Sequence, residues 1–208
     1  MRIGRIIERT RAEGPGLRFA VWVQGCPFHC PGCYAETLQD PDGGQEVSAD
    51  RVIEQIRLVR SEIEGVTLLG GEPFVQAAEL AEVASASHAM GLSVLTFTGF
   101  LHEELLSHGT PEQKALLSHT DVLLDGQYIE AKRDLSRPLI GSENQRYVFL
   151  SGRYSLPDLL SCKNRMELRV DKNGVILLNG MGDFAEVEKR LCRDNFIKGD
   201  RMHAIHRL

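Results

Sequence analysis

The chain has 208 residues, of which 42% are hydrophobic and 25% charged, and its formal net charge is −5. This composition is typical of one globular domain that buries its own core, and the negative balance argues against nucleic acid as a partner. The five cysteines are odd in number and three of them are clustered, which argues against a secreted disulfide framework and favours a reducing, cytoplasmic compartment.

The N-terminus contains no apolar stretch of the kind found in secretory signals. The uncharged run 19–35 is interrupted by Gly, Pro, Gln and Cys, so it does not resemble a membrane span. We therefore expect a soluble protein with no membrane partner.

Short apolar strands alternate with helices along the whole chain. We predict strands at 17–24, 66–69, 92–97, 121–125 and 146–150, helices at 48–64, 75–90, 101–107, from Thr110-Pro111 onward and from Asp183 to Leu191, a turn at 40–44, a long loop at 127–145, and a hairpin of 166–170 and 175–178 around Asn173-Gly174. This alternation predicts an α/β fold, with a parallel sheet or open barrel in a single domain.

Ligands of such folds bind at the carboxyl ends of the parallel strands. Four polar or Gly-rich elements directly follow predicted strands: the loop 26–33, Gly70-Gly71-Glu72, Thr98-Gly99 and Asp125-Gly126. We expect these elements to lie on one face.

The loop 26–33 reads Cys-Pro-Phe-His-Cys-Pro-Gly-Cys and contains Cys26, Cys30 and Cys33. Thiolates select zinc or iron–sulfur units, and the prolines exclude a regular helix or strand here. A structural zinc ion is normally closed by four ligands, which His29 or a distant residue could complete. A 4Fe-4S cluster held by three cysteines leaves one iron open. We interpret the two remaining cysteines, Cys162 and Cys192, as plain thiols.

The spacing Cys26-x3-Cys30-x2-Cys33, with Tyr34 next, resembles the signature of the radical S-adenosylmethionine (radical SAM) superfamily, and Gly70-Gly71-Glu72-Pro73 resembles its second signature. Gly14-Pro15-Gly16-x-Arg18 is similar to a segment of glycyl-radical activating enzymes. Asp125-Gly126 and the run from Gly141 to Arg146 resemble the anaerobic ribonucleotide reductase activating enzymes.

The resemblance covers about residues 14–180 and implies a partial (β/α)6 open barrel with a C-terminal β-hairpin and helix, in one domain over 1–208 with the C-terminal helix and tail at 181–208. It implies a 4Fe-4S cluster on Cys26, Cys30 and Cys33, with S-adenosylmethionine on the open iron. The implied cofactor-binding residues are Tyr34, Gly70, Gly71, Glu72, Thr96, Thr98, Asp125, Asn144 and Arg146. From the residues alone, Thr96 and Thr98 also suit ordinary strand-end hydroxyls, Asp125 a helix or turn cap, and Arg146 a salt bridge.

The chemistry that this resemblance implies is one-electron reduction of S-adenosylmethionine by flavodoxin or ferredoxin, which gives a 5′-deoxyadenosyl radical. That radical would abstract hydrogen from a glycine of a partner glycyl-radical enzyme. Ala35 and Leu38 stand where the subgroup often has Asn and Trp, which leaves a tailoring enzyme acting on a small metabolite or peptide as an alternative. A zinc-binding module is the non-enzyme alternative.

Overall fold

A computed structural model describes residues 1–170, 172, 175–193 and 205–207, without the side chains of Glu188, Cys192, Arg193 and 205–207. The predicted Asn173-Gly174 turn and the plain thiol of Cys192 therefore lie outside the described part. The strands are β1 (Arg2–Thr10), β2 (Arg18–Val23), β3 (Gln45–Glu46), β4 (Gly65–Gly70), β5 (Ser93–Phe97), β6 (Val122–Asp125), β7 (Arg146–Phe149), β8 (Met166–Val170), β9 (Ile176–Gly180) and β10 (Ile205–Arg207). The α-helices are α1 (Ala49–Val59), α2 (Ala77–Ala89), α3 (His102–His108), α4 (Pro111–Ser118), α5 (Leu156–Ser161) and α6 (Phe184–Arg193).

Seven strands form the central sheet, in the order β3-β1-β2-β4-β5-β6-β7. The four middle strands β2, β4, β5 and β6 are parallel, whereas β1, β3 and β7 pair antiparallel at the two sides. The α/β prediction is therefore confirmed. A second sheet, β10-β9-β8, contains the antiparallel pair β8 and β9.

The two faces of the parallel strands are both buried, as expected for strands covered on each side. One face packs against the helices and forms the main core, for example through Val21 of β2, Ile56 of α1 and Leu80 of α2. The alternate residues lie on the opposite, interior face of the sheet, where Trp22 and Leu69 share a smaller cluster.

Strand β1 is the main element that the sequence did not predict. It contains Arg2, Arg5, Glu8 and Arg9, so its composition is that of a surface segment. Its pairing with β2 is interrupted by two register shifts, which hide the period-two pattern of a strand.

The helix predicted at 48–64 ends earlier, at Val59, because the backbone N–H of Glu64 already bonds Leu17 O at the start of the sheet. None of the described helices is long and apolar enough to cross a membrane.

Candidate active site

A cavity of about 190 Å³ lies at the carboxyl ends of the four parallel strands. Each of these strands contributes one interior side chain near its end: Trp22, Leu69, Phe97 and Leu124. The loops that follow the strands form the rest of the wall. This is the position at which parallel α/β sheets bind ligands.

The cysteine loop forms one side of this cavity. Cys26, Cys30 and Cys33 all line it, and all three are free, half-buried thiols. The loop is anchored at its first residue, where Cys26 N–H donates to Gln39 O at 3.1 Å. Among the described residues, no three Cys, His, Asp or Glu side chains are gathered around a point that could hold one metal ion. A cluster of several irons takes one thiolate at each iron, so it does not require three sulfurs around a single ion.

Burial raises the pKa of the Cys26 and Cys33 thiols above the ordinary value. Backbone N–H groups oppose this shift, those of Phe28 and His29 at Cys26 and that of Ala35 at Cys33. Holding a metal or cluster would require both thiols to lose their protons, and the surrounding amides would then donate to the sulfurs. Such donors help to set the potential of an iron–sulfur cluster.

The Gly70-Gly71 turn lies directly against the beginning of the cysteine loop. Gly71 N–H donates to Val23 O and Glu72 N–H donates to Gly25 O, both at 2.8 Å. A Cβ atom on Gly71 would lie 2.3 Å from Gly25 O, so only glycine fits at this position. The two sequence signatures thus form one backbone unit.

The carboxylate of Glu72 accepts three hydrogen bonds in a buried position. Phe74 N–H and Thr98 Oγ1 both donate to Oε1 at 2.9 Å, and Gly99 N–H donates to Oε2 at 2.8 Å. A carboxylate offers about four lone-pair positions, so one acceptor position remains. Glu72 therefore joins the ends of β4 and β5, and its carboxylate lines the cavity with one acceptor position unused.

Two carboxyls of the cavity wall are buried, Glu72 and Glu13. Burial raises the pKa of each to about 7, against the opposing effect of their hydrogen-bond donors. Within the described part of the chain, no cation is among the groups that shift either pKa. A cationic ligand in the cavity would favour the ionised form of both carboxyls.

These two carboxyls make stability depend on pH in the protein without cofactors. The unfolded chain releases each proton near pH 4.5 and the folded chain holds it to about pH 7, so the folded state binds more protons in between. We expect the free energy of unfolding to fall as pH rises through this window, by about 1.4 kcal/mol per pH unit for each carboxyl. Urea unfolding of the cluster-free protein between pH 5 and 7.5 measures this slope.

The double variant Glu13→Gln, Glu72→Gln should lose the slope, and Glu54→Gln on the exposed side of α1 should keep it. An unchanged slope in the double variant would contradict the assignment.

The predicted binding residues divide into two groups. Tyr34, Gly70, Gly71, Glu72 and Thr98 line the cavity together with the three cysteines. Four others lie outside its lining: Thr96, Asp125, Asn144 and Arg146.

Thr96 bonds Thr120 Oγ1 at 2.9 Å, and Asn144 Nδ2 donates to Gln127 O at 2.8 Å. Asp125 accepts His102 N–H at the start of α3 and pairs with Arg146, whose Nε donates to its Oδ1 at 2.9 Å. In the structure, Asp125 accepts a backbone N–H from the first turn of α3, as a helix cap does, and Arg146 forms the salt bridge that the residues alone also allowed.

Several cavity residues were not identified from the sequence, among them Glu13, Tyr128, Gln145 and Met181. Gln145 fixes the long loop: its Oε1 accepts Gly141 N–H at 3.0 Å and its Nε2 donates to Gly126 O at 2.9 Å. The sequence feature that could have identified Tyr128 and Gln145 is the length and polarity of the loop 127–145. No local signal marks Glu13 or Met181, which come from opposite ends of the chain.

The residues that line the cavity fit a 4Fe-4S cluster together with S-adenosylmethionine. Three thiols supply soft ligands, while the free acceptor position of buried Glu72 matches an ammonium group. The bare backbone at Gly70-Gly71 permits close approach of a ligand, and the ring of Tyr34 supplies an aromatic wall. This combination matches a sulfonium cofactor that carries an amino acid and a nucleoside.

Comparison with known proteins matches the region of the chain that contains most of these site residues. Residues 12–148 match the family described as a 4Fe-4S single cluster domain. The anaerobic ribonucleoside-triphosphate reductase-activating protein of Vibrio cholerae serotype O1 is 30% identical over 141 residues, which cover 64% of this chain and 88% of that protein. The protein of the same name from Enterobacteria phage T4 is 30% identical over 151 residues, or 70% of this chain and 92% of that protein. The pyruvate formate-lyase-activating enzyme of Clostridium pasteurianum is 27% identical over 134 residues, or 62% of this chain and 53% of that protein.

Proposed function

The chain belongs to the 4Fe-4S single cluster domain family, as a radical SAM enzyme of the glycyl-radical activating kind, and from this membership we propose that it installs a glycyl radical on a partner enzyme. The partner is an anaerobic ribonucleotide reductase, the enzyme class in the names of its relatives. The observation that carries the proposal is the junction of the cysteine loop with the Gly-Gly-Glu turn at one cavity.

When bound, the cluster and S-adenosylmethionine would use one electron from a reduced carrier to supply a 5′-deoxyadenosyl radical. That radical would take a hydrogen atom from the partner glycine. In this proposal Cys26, Cys30 and Cys33 hold the cluster. Glu72 accepts from the ammonium of the methionine moiety, and Gly70 and Gly71 let the backbone reach it. Tyr34 lies against the cofactor, with its hydroxyl held by Arg133 Nε at 3.0 Å.

We propose that the chain is one domain whose sheet is a partial (β/α)6 barrel, supported by the four parallel strands with a common interior cavity. The pairing of β8 with β9 supports a C-terminal hairpin. A flavodoxin or ferredoxin suits the single electron that the chemistry needs.

Reductive cleavage in the presence of the partner tests the function. Protein purified without oxygen is reduced, mixed with S-adenosylmethionine and the anaerobic ribonucleotide reductase of the same organism, and analysed for 5′-deoxyadenosine and for a glycyl radical by electron paramagnetic resonance. We expect both products, and we expect no radical on a partner whose radical-bearing glycine is replaced by alanine.

Cleavage without any partner radical would reject the activating role in favour of a tailoring enzyme. A protein containing zinc but neither iron nor sulfide would reject the radical chemistry altogether.

A further inference from the structure

Strand β8 lies at the edge of the smaller sheet and exposes apolar side chains. It belongs to residues 156–193, which contain α5, β8, β9 and α6 and which we call the C-terminal module. The order of this sheet is β10-β9-β8, so among the described strands only β9 pairs with β8. Met166, Leu168 and Val170 are 37%, 43% and 61% exposed. A strand edge that combines free backbone groups with apolar side chains is a site for pairing with another strand.

The apolar side chains of β8 share one face of the sheet, because alternate residues of a strand point the same way. On β9 this face is buried: Leu178, the cross-strand partner of Leu168, packs in one cluster with Phe184 of α6. Helix α6 therefore covers β9 and leaves the apolar residues of β8 exposed. Within the part of the chain that the structure describes, this half of the face has no cover.

The opposite face of β8 is charged and lies against the end of β1. Glu167 Oε1 accepts Arg11 N–H at 2.8 Å. Arg169 Nη2 donates to Arg9 O at 2.7 Å and to Glu167 Oε2 at 2.5 Å. Even so, 24% of the Glu167 side chain and 40% of the Arg169 side chain stay exposed. These contacts hold β8 in place and leave both charges partly accessible.

The direction of the backbone groups of β8 follows from its pairing with β9. Met181 N–H donates to Arg165 O at 2.8 Å, in the register of the whole strand pair. Hydrogen-bonded residues alternate along an antiparallel strand, so the odd-numbered residues of β8 direct their N–H and C=O groups at β9. The even-numbered residues Met166, Leu168 and Val170 direct theirs outward. The outer edge of β8 is therefore a ready template for a further antiparallel strand.

We propose that β8 pairs with β8 of a second copy of this chain, antiparallel about a two-fold axis at Leu168. The strand reads Met-Glu-Leu-Arg-Val, so this axis places Glu167 opposite Arg169 of the second copy, and Arg169 opposite its Glu167. Opposite charges that face each other across antiparallel strands stabilise the pair. The same axis places Met166 opposite Val170, which joins the apolar residues of both copies into one patch. Such a contact is self-complementary, as a two-fold interface requires.

The charges also select the register. Pairing at Leu168 lets the outward N–H and C=O groups of the two copies bond directly to each other. Centring the axis on Glu167 or on Arg169 instead would set like charges opposite each other, which destabilises a strand pair. The observation that carries the inference is therefore the symmetric order of apolar, acidic, apolar, basic and apolar residues on an open strand edge.

The first test mixes two variants of opposite charge. Arg169→Glu gives β8 two acidic residues and Glu167→Arg gives it two basic residues, so neither variant should pair with itself. An equal mixture should form heterodimers, because each Glu then faces an Arg. Sedimentation velocity of the full-length, cluster-loaded proteins measures the mass, and we expect the wild type to sediment as a dimer. A monomeric wild type would overturn the proposal, as would a mixture that stays monomeric or a single variant that dimerises as tightly as wild type.

A second pair of variants tests the apolar side of the contact. Leu168→Lys places a charge at the centre of the strand pair, while Leu58→Lys adds the same charge to α1, at a side chain that is 82% exposed. We expect Leu168→Lys to raise the dissociation constant of the dimer about 100-fold, since both copies lose a buried leucine. Leu58→Lys should leave that constant at the wild-type value. Equal dissociation constants for the two variants would overturn the proposal.

Two other occupants of the β8 edge would give a different result. If residues 194–204 of the same chain cover this strand, or if the partner enzyme binds it, the purified wild type stays monomeric and the second copy is ruled out. Neither test uses S-adenosylmethionine or a partner enzyme. A failure of the proposed function would therefore leave these results unchanged.

Discussion

Replacing Cys30 by alanine is expected to remove the iron–sulfur cluster and all formation of 5′-deoxyadenosine. In the proposed site each of the three cavity thiols would serve a different iron, and the loop contains no fourth cysteine to replace a lost one. A 4Fe-4S cluster in this site would have only three protein ligands. If one of them is removed, two of the four irons have no protein ligand, so we expect the cluster to be lost. Iron and sulfide analysis and the visible absorption of anaerobically purified protein measure the loss.

The chain provides a matched control in Cys162. This thiol is also free and partly buried, but it lies at the end of α5 and contacts Asp158 O rather than the cavity. Cys162→Ala should retain the iron, the sulfide and the cleavage of S-adenosylmethionine. Retention of the cluster in Cys30→Ala, or its loss in Cys162→Ala, would contradict the assignment of ligands.

Replacing Arg18 by alanine is expected to cause the largest loss of stability of any single arginine on the described sheet. The side chain is fully buried at the start of β2, and its guanidinium donates to Thr67 Oγ1 at 2.6 Å and to Val66 O at 2.6 Å. It also reaches Ser93 at the start of β5, and every acceptor around it is neutral. One side chain thus ties together the beginnings of β2, β4 and β5.

Truncation leaves both a cavity and buried acceptors without donors, which together cost about 3–5 kcal/mol. Urea denaturation of the cluster-free protein gives the value. Arg57→Ala, on the exposed face of α1, should change the free energy of unfolding by no more than about 0.5 kcal/mol. A loss below about 1 kcal/mol for Arg18→Ala would show that the strand ends are held by other contacts.

Local patterns were enough to locate the parallel strands and the ligand-binding end of the sheet. They could not tell which face of each strand is interior, because parallel strands are apolar on both faces. On β5, Val94 packs in the helix-covered core while Phe97 lines the cavity. Thr96 shares the face of Val94 by strand alternation, and so its hydroxyl meets Thr120 rather than the ligand space.

Long-range contacts account for the other residues that the sequence did not reveal. Asn179 and Glu13 are separated by 166 positions, yet their side chains meet at the cavity wall. Neither has a motif of its own, and the strand β1 that brings the chain to Glu13 is too rich in charge to be recognised by periodicity. Such residues are specified by the packing of the module on the sheet, which no local pattern encodes.

The contact between Gly71 and Gly25 has a consequence for protein engineering. Because backbone meets backbone there, any side chain at position 71 would push the start of the cysteine loop away from the sheet. If this turn and this loop bind S-adenosylmethionine and the cluster as proposed, a change at position 71 that is aimed at S-adenosylmethionine would also change the retention of iron. Variants aimed at one cofactor would then have to be screened for the other.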